Sequence, residues 1–275
     1  MACSCTSITF LGGTAIDPLD ITEIYDASKY ADLDCVSTAD GLTYDLGCKI
    51  IVGDGGATET HFDLRKAGEP VTYRFADESE GLELNLGSDD RVILDDSTIT
   101  TIGSVATTGL TVVAGTAIHI TSAKGLTISV FNTFIDCAAS AILALINPGF
   151  ALAGKTTGAG VIQESYEWDF TVLEGTTPIN LCHIEVWDAA SVLITDEETN
   201  ASGVIATQTY EANYWTANVA TPKTPHSFRF YEYDYATLTP TMAVSSALAY
   251  SQQMTLDPYV TKTKAEAALI DATCV

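Results

Sequence analysis

Residues 71–130 read VTYRFADESE GLELNLGSDD RVILDDSTIT TIGSVATTGL TVVAGTAIHI TSAKGLTISV, and this stretch decides the fold class. Short apolar runs recur between clusters of Gly, Ser, Asn and Asp, the pattern of many short strands joined by tight turns. In Leu82-Glu-Leu-Asn-Leu86 apolar and polar residues alternate, which turns one set inward and the other toward water. Strands are expected at Val71–Phe75, Leu82–Leu86, Arg91–Leu94, Leu110–Val113, Ile118–Ile120 and Leu126–Val130. The chain is predicted to be all-β.

A loose repeat runs through the same stretch. Gly-Leu pairs begin at Gly81, Gly109 and Gly125, and Gly109-Leu-Thr-Val is matched by Gly125-Leu-Thr-Ile 16 residues later. Such a repeat suits the coils of a β-helix, in which each coil stacks its apolar positions on the last. An antiparallel meander with similar turns accounts for it equally well.

Working outward, the chain divides into four regions. Residues 1–60 read as an irregular opening region with a strand at Ile50–Val52 and a turn at Gly53–Gly56. Residues 61–157 form the repetitive β domain. The flexible stretch Gly154-Lys-Thr-Thr-Gly-Ala-Gly160 marks the boundary. Its Lys precedes the later glycines, so it does not fit a phosphate loop. Residues 158–240 follow as a β-sandwich, with strands expected at Glu167–Leu173, Cys182–Trp187, Val192–Thr195, Val204–Tyr210, Tyr214–Val219 and Ser227–Tyr233. Residues 241–275 form a tail, in which Thr263–Ala272 favours a short helix.

Composition bounds the function. The chain has 275 residues, with 12 Lys and Arg against 36 Asp and Glu, a net charge of −24. That balance excludes phosphate-backbone binding, and nucleic acid with it. It also repels anionic membrane surfaces. The apolar segment FNTFIDCAASAILALINPGFALAG, 131–154, contains Asp136 and an Asn147-Pro-Gly149 break. It falls short of the roughly 20 uninterrupted residues a membrane span needs and is expected as a buried helix or turn. Seven cysteines form no zinc spacing. They are expected to be mostly reduced, with Cys35–Cys48 the one bridge considered. The N-terminus MACSCTSITFLGGTAIDPLD lacks the features of a secretory signal.

One segment carries a family resemblance. Phe170-Thr-Val-Leu-Glu-Gly-Thr-Thr-Pro-Ile-Asn-Leu-Cys-His-Ile-Glu-Val-Trp-Asp188 is followed by Ile194-Thr-Asp-Glu-Glu-Thr-Asn-Ala-Ser-Gly-Val-Ile205. Residues 165–235 resemble the carboxypeptidase regulatory-like, or transthyretin-like, β-sandwich, whose modules occur as non-catalytic domains of surface proteins and phage particles. The resemblance implies Ile184 and Val186 pointing inward, a turn opening at Asp188, and a tight hairpin at Gly203. It implies no zinc ligands.

No catalytic residue or cofactor is expected. His61, His119, His183 and His226 are the only histidines, and the chain has no HExxH and no GxSxG elbow. Cys182 and His183 are neighbours on a strand, so their side chains leave opposite faces. The acidic doublets Asp77-Glu78, Asp89-Asp90 and Asp95-Asp96 fall at turns, where solvated Asp is ordinary. Calcium is the one metal weighed, at Asp188, Asp196, Glu197 and Glu198. Alternation in Phe228-Arg-Phe-Tyr-Glu-Tyr-Asp-Tyr235 places Tyr231, Tyr233 and Tyr235 together as a candidate aromatic contact face for a glycan or another subunit.

The sequence therefore reads as a non-enzymatic structural protein of a virus particle, resembling a bacteriophage virion component assembled in the host cytoplasm. Its expected partners are copies of itself and neighbouring particle subunits, as a capsid decoration, tail or fibre component. The alternative is a carbohydrate-binding or carbohydrate-cleaving surface or receptor-binding protein.

Overall fold

The computed structural model describes residues 42–46, 49–53, 61–66, 68–75, 81–87, 91–101, 108–113 and 121–258, and the backbone of Ser7–Phe10, Leu19–Asp20 and Cys35–Ser37. The described residues are strands and turns, so the fold is all-β. The chain forms two compact units, Met1–Ser165 with Asn213–Pro222 and Tyr166–Ala212 with Lys223–Val275.

The first unit is a three-sided parallel coil. One side stacks Ser7–Phe10, Lys49–Val52, Leu82–Leu84, Thr108–Val112, Thr133–Cys137 and Thr156–Thr157, every pair parallel. A second stacks Thr43–Leu46, Thr72–Phe75, Thr98–Thr101 and Thr127–Ile128 in parallel, with Cys35–Ser37 added antiparallel. The third stacks Leu19–Asp20, His61–Asp63, Arg91–Ile93 and Thr121–Ser122. It continues through Ile142–Ile146, which pairs in parallel with Val161–Ser165. This is β-helix stacking, not a meander.

Register shows the true repeat. Thr43, Thr72, Thr98 and Thr127 stand side by side, so the chain returns to the same position every 26–29 residues. Inside the coil, apolar side chains stack rung upon rung. Tyr44, Tyr73, Ile99 and Ile128 form one buried ladder, and Ile50, Leu82, Leu110 and Ile135 form another. The two tyrosine rings stack with centroids 6.5 Å apart. Gly81-Leu82 and Gly109-Leu110 are true repeat partners. Gly125 belongs to a different side, so the 16-residue spacing between matching tetrapeptides is not a coil length.

The glycines recur for a steric reason. Gly81 donates its N–H to the Thr108 carbonyl on the next rung at 2.9 Å. A Cβ at Gly81 would lie 2.1 Å from the Gly109 carbonyl oxygen, inside any allowed contact. Outside the coil, facing rungs pair by charge. Arg74 holds Asp45 in a two-pronged contact at 2.6 and 2.7 Å, and Lys49 pairs with Glu83.

The apolar 131–154 segment corrects an expectation. It forms the strands Thr133–Cys137 and Ile142–Ile146, joined at a turn where Ser140 has φ 70°, and not a helix. Alternating burial of Ile135 with Cys137 and of Leu143 with Leu145 is the strand period, and rungs on both sides supply its hydrogen bonds. Among the described residues no helix is long and apolar enough to cross a membrane. The expected strand Ile118–Ile120, the doublets Asp77-Glu78 and Asp89-Asp90, Cys48 and the helix at Thr263–Ala272 lie outside the described residues. Cys137 and Cys182 are free and buried, and burial pushes their thiols up to about 12 and about 11.

Residues 208–222 also differ from expectation. Gln208–Thr216 is one strand that turns at Ala217 and Asn218, both at positive φ, into Val219–Pro222. The Glu164 carboxylate, 7% exposed, accepts from Asn213 Nδ2 at 2.7 Å and Trp215 Nε1 at 2.8 Å, which fastens this hairpin to the coil.

The second unit packs two sheets around an aromatic core. Trp168–Leu173 pairs in parallel with Leu248–Gln253. The other sheet runs Leu193–Glu198, His183–Trp187, His226–Tyr231 and Thr241–Met242, all antiparallel. Trp168, Phe170, Val172, Ile184, Val186, Tyr210, Phe228 and Phe230 share its core. Trp168 stacks on Phe228 at 5.6 Å, and its Nε1 donates to the Ser246 carbonyl.

Substituting Gly81→Ala forces the new methyl against backbone on the next rung and is expected to cost about 1–3 kcal/mol by denaturant titration. His226 tests the sandwich. Burial lowers its pKa below the ordinary value, against the opposing pull of Asp188 and Glu211. The unfolded chain therefore binds the proton first as pH falls. The stability tied to neutral His226 is full above pH about 6.5 and is lost as pH drops through the depressed native pKa. Melting curves from pH 8 to pH 5 should fall more steeply for the native chain than for His226→Gln.

Candidate functional site

Two strands of the four-stranded sheet carry a period-2 pattern that sorts their side chains. In His183-Ile-Glu-Val-Trp187, Ile184 and Val186 enter the core, leaving His183, Glu185 and Trp187 on the outer face. In Phe228-Arg-Phe-Tyr231, Phe228 and Phe230 go inward and Arg229 and Tyr231 outward. Strand register then builds rows. His183 stands between Glu198 and Tyr231, Glu185 between Asp196 and Arg229, and Trp187 between Leu193 and Ser227.

These rows form a connected cluster. Arg229 Nη2 lies 2.5 Å from Glu185 Oε2, and the Tyr231 hydroxyl donates to Glu185 Oε1 at 3.1 Å. The guanidinium covers the Tyr231 ring at 4.6 Å and the Trp187 ring at 5.6 Å. The His183 and Tyr231 rings stack 4.7 Å apart and 6° from parallel, while His183 Nε2 lies 2.9 Å from Glu198 Oε1. The Glu185 carboxylate raises the Arg229 pKa through its hydrogen bond. Burial, and then the same carboxylate, hold the Tyr231 phenol above its ordinary value. Glu185 is only 9% exposed, so the cation above it is what makes its burial tolerable. The face thus offers flat rings and a guanidinium with its counter-charge already in place.

The three tyrosines singled out from sequence occupy different settings. Tyr231 belongs to the rows. The strand ends there and a turn begins, with the Glu232 carbonyl accepting from Tyr235 N at 3.1 Å, so alternation no longer governs the next residues. Tyr233 projects into solvent at 78% exposure. Tyr235 packs on the sandwich core, and its hydroxyl donates to Glu174 at 3.0 Å. His183, Glu185, Trp187 and Arg229 were not singled out as site residues, although the alternation in 183–187 and 228–231 carries the signal for their shared face.

The acidic loop residues are used locally. Asp188 Oδ1 accepts from the backbone of Ala190 at 2.9 Å and Val192 at 2.8 Å, closing the hairpin turn. Asp95 Oδ1 accepts from Lys124 N at 2.8 Å. Among the described residues no group of three or more His, Cys, Asp or Glu side chains is placed to hold a metal ion.

No family model matches the chain, and no curated protein matches it. Among solved structures, the Bacillus anthracis TIE protein is similar over 38% of this chain and 20% of its own length, at 12% identity and a TM-score of 0.27.

Arg229→Ala should lower the melting temperature and make Trp187 more accessible to acrylamide quenching. Arg229→Lys should restore the charge but not the planar cover over two rings, and so recover only part of both effects.

Proposed function

We propose that the chain is a non-enzymatic structural subunit of a virus particle, assembled in the host cytoplasm through contacts with its own copies and with neighbouring subunits. The observation that carries this reading is the exposure of large apolar side chains on ordered strands and turns of both units, in a chain whose charge otherwise holds copies apart. Val219 is 66% exposed, Val130 57% and Val192 56%. Exposed apolar side chains of this kind are what docking of rigid subunits buries. The second unit is read as a transthyretin-like sandwich of the kind carried on phage particles. Two sheets around one core and the hairpin from His183–Trp187 to Leu193–Glu198 support that assignment.

A second reading, binding of carbohydrate, is favoured by the outer face where Trp187, Tyr231 and His183 lie beside Glu185 and Arg229. Planar rings next to hydrogen-bonding groups suit a sugar.

Light scattering and negative-stain microscopy of the purified chain test the structural reading. The expected result is an ordered multimer that Val130→Glu with Val219→Glu weakens. A monomer at every concentration, bound by a glycan array, would replace it with the carbohydrate reading.

A further inference from the structure

Among the described residues, the four-stranded sheet ends in a strand with a single partner and an unusual composition. Leu193–Glu198 is its first strand, and among the described residues it pairs only with His183–Trp187. An edge strand leaves one row of backbone N–H and C=O groups unpaired toward solvent. Soluble proteins usually blunt such an edge with lysine, proline or a covering segment. This one runs from apolar to acidic. Val192, Leu193 and Ile194 are 56%, 47% and 44% exposed, and Asp196, Glu197 and Glu198 follow, all exposed. The strand itself is anchored. Thr195 is buried, and its Oγ1 lies 3.2 Å from the Tyr210 hydroxyl.

We infer that this edge accepts an extended segment of a partner protein by strand addition, and that the segment alternates apolar residues with Lys or Arg. The inference rests on the structural reading above and names the partner chemistry for one of its contacts. Backbone pairing supplies the affinity, and the side chains beside each rung supply the choice. Asp196 and Glu198, both on the outer face, take cations directly opposite, while the alternate positions of the segment, on the inner face, are apolar. Charge decides against a second copy as the occupant. Each chain carries 36 acids and only 12 basic residues, so two identical edges would bring two acidic runs together on molecules of net charge −24. A basic strand gains from the same field and approaches faster for it.

The test uses the full chain and a fluorescent seven-residue peptide of alternating Val and Lys, with a Val and Glu peptide for comparison. The Val–Lys peptide should bind, weaken with salt, and slow amide exchange within Leu193–Glu198. Asp196→Lys with Glu198→Lys should weaken binding at least tenfold, and the milder Asp196→Asn severalfold with an unchanged melting temperature. Equal binding by the variants, or protection located elsewhere, would overturn the inference, as would binding of the Val–Glu peptide. A multimer that the edge variants dissolve and the peptide displaces would make a second copy the occupant, overturning it too. A multimer without peptide binding sinks this inference alone. Peptide binding by a chain that never multimerises sinks the subunit reading alone.

Discussion

Everything in the first unit depends on the roughly 4.8 Å spacing between rungs of a parallel sheet. At that distance each interior side chain rests on its counterpart in the next turn, so a position accepts only residues that stack. Tyr44 over Tyr73, and Ile50 through Leu82 and Leu110 to Ile135, satisfy this with like shapes. The corner at Gly81 satisfies it by having no side chain. The outer positions obey the same spacing through charge, as with Arg74 beside Asp45. A one-residue slip would turn every buried residue outward, and so the register is strongly held.

The sandwich solves a different problem with the same alternation. Its inner residues make a core of stacked and edge-on rings, which fixes the sheet firmly enough to present Arg229, Glu185 and Tyr231 in one geometry. Its edge strand is held from behind by Thr195 and, among the described residues, pairs with one strand alone. A rigid face of this kind suits recognition, of a neighbouring subunit or of a sugar.

Much of this was legible in the chain. Alternation in Leu82-Glu-Leu-Asn-Leu86 and Phe228-Arg-Phe-Tyr231 correctly separated buried from half-buried positions. Coil length was not legible, because Gly109 and Gly125 serve different sides of the coil and only Gly81 and Gly109 are partners. The 131–154 segment reads as a buried helix or turn because its apolar run is too short to span a membrane. Neighbouring rungs supply the hydrogen bonds that make it two strands instead. Alternation in 183–187 and 228–231 carries each strand's outer face, but the cross-strand register that sets Glu185 beside Arg229 is absent from local pattern. The tyrosine face was misplaced because alternation was carried past the strand's end at Tyr231.

Stacking of 26–29-residue coils is most directly tested by inter-strand backbone NOEs in an isotope-labelled sample. Parallel stacking predicts amide to α-proton contacts linking Leu82 with Leu110 and Leu110 with Ile135. Antiparallel contacts between the strands holding Leu110 and Leu126 would contradict it, and would show a meander in place of the coil.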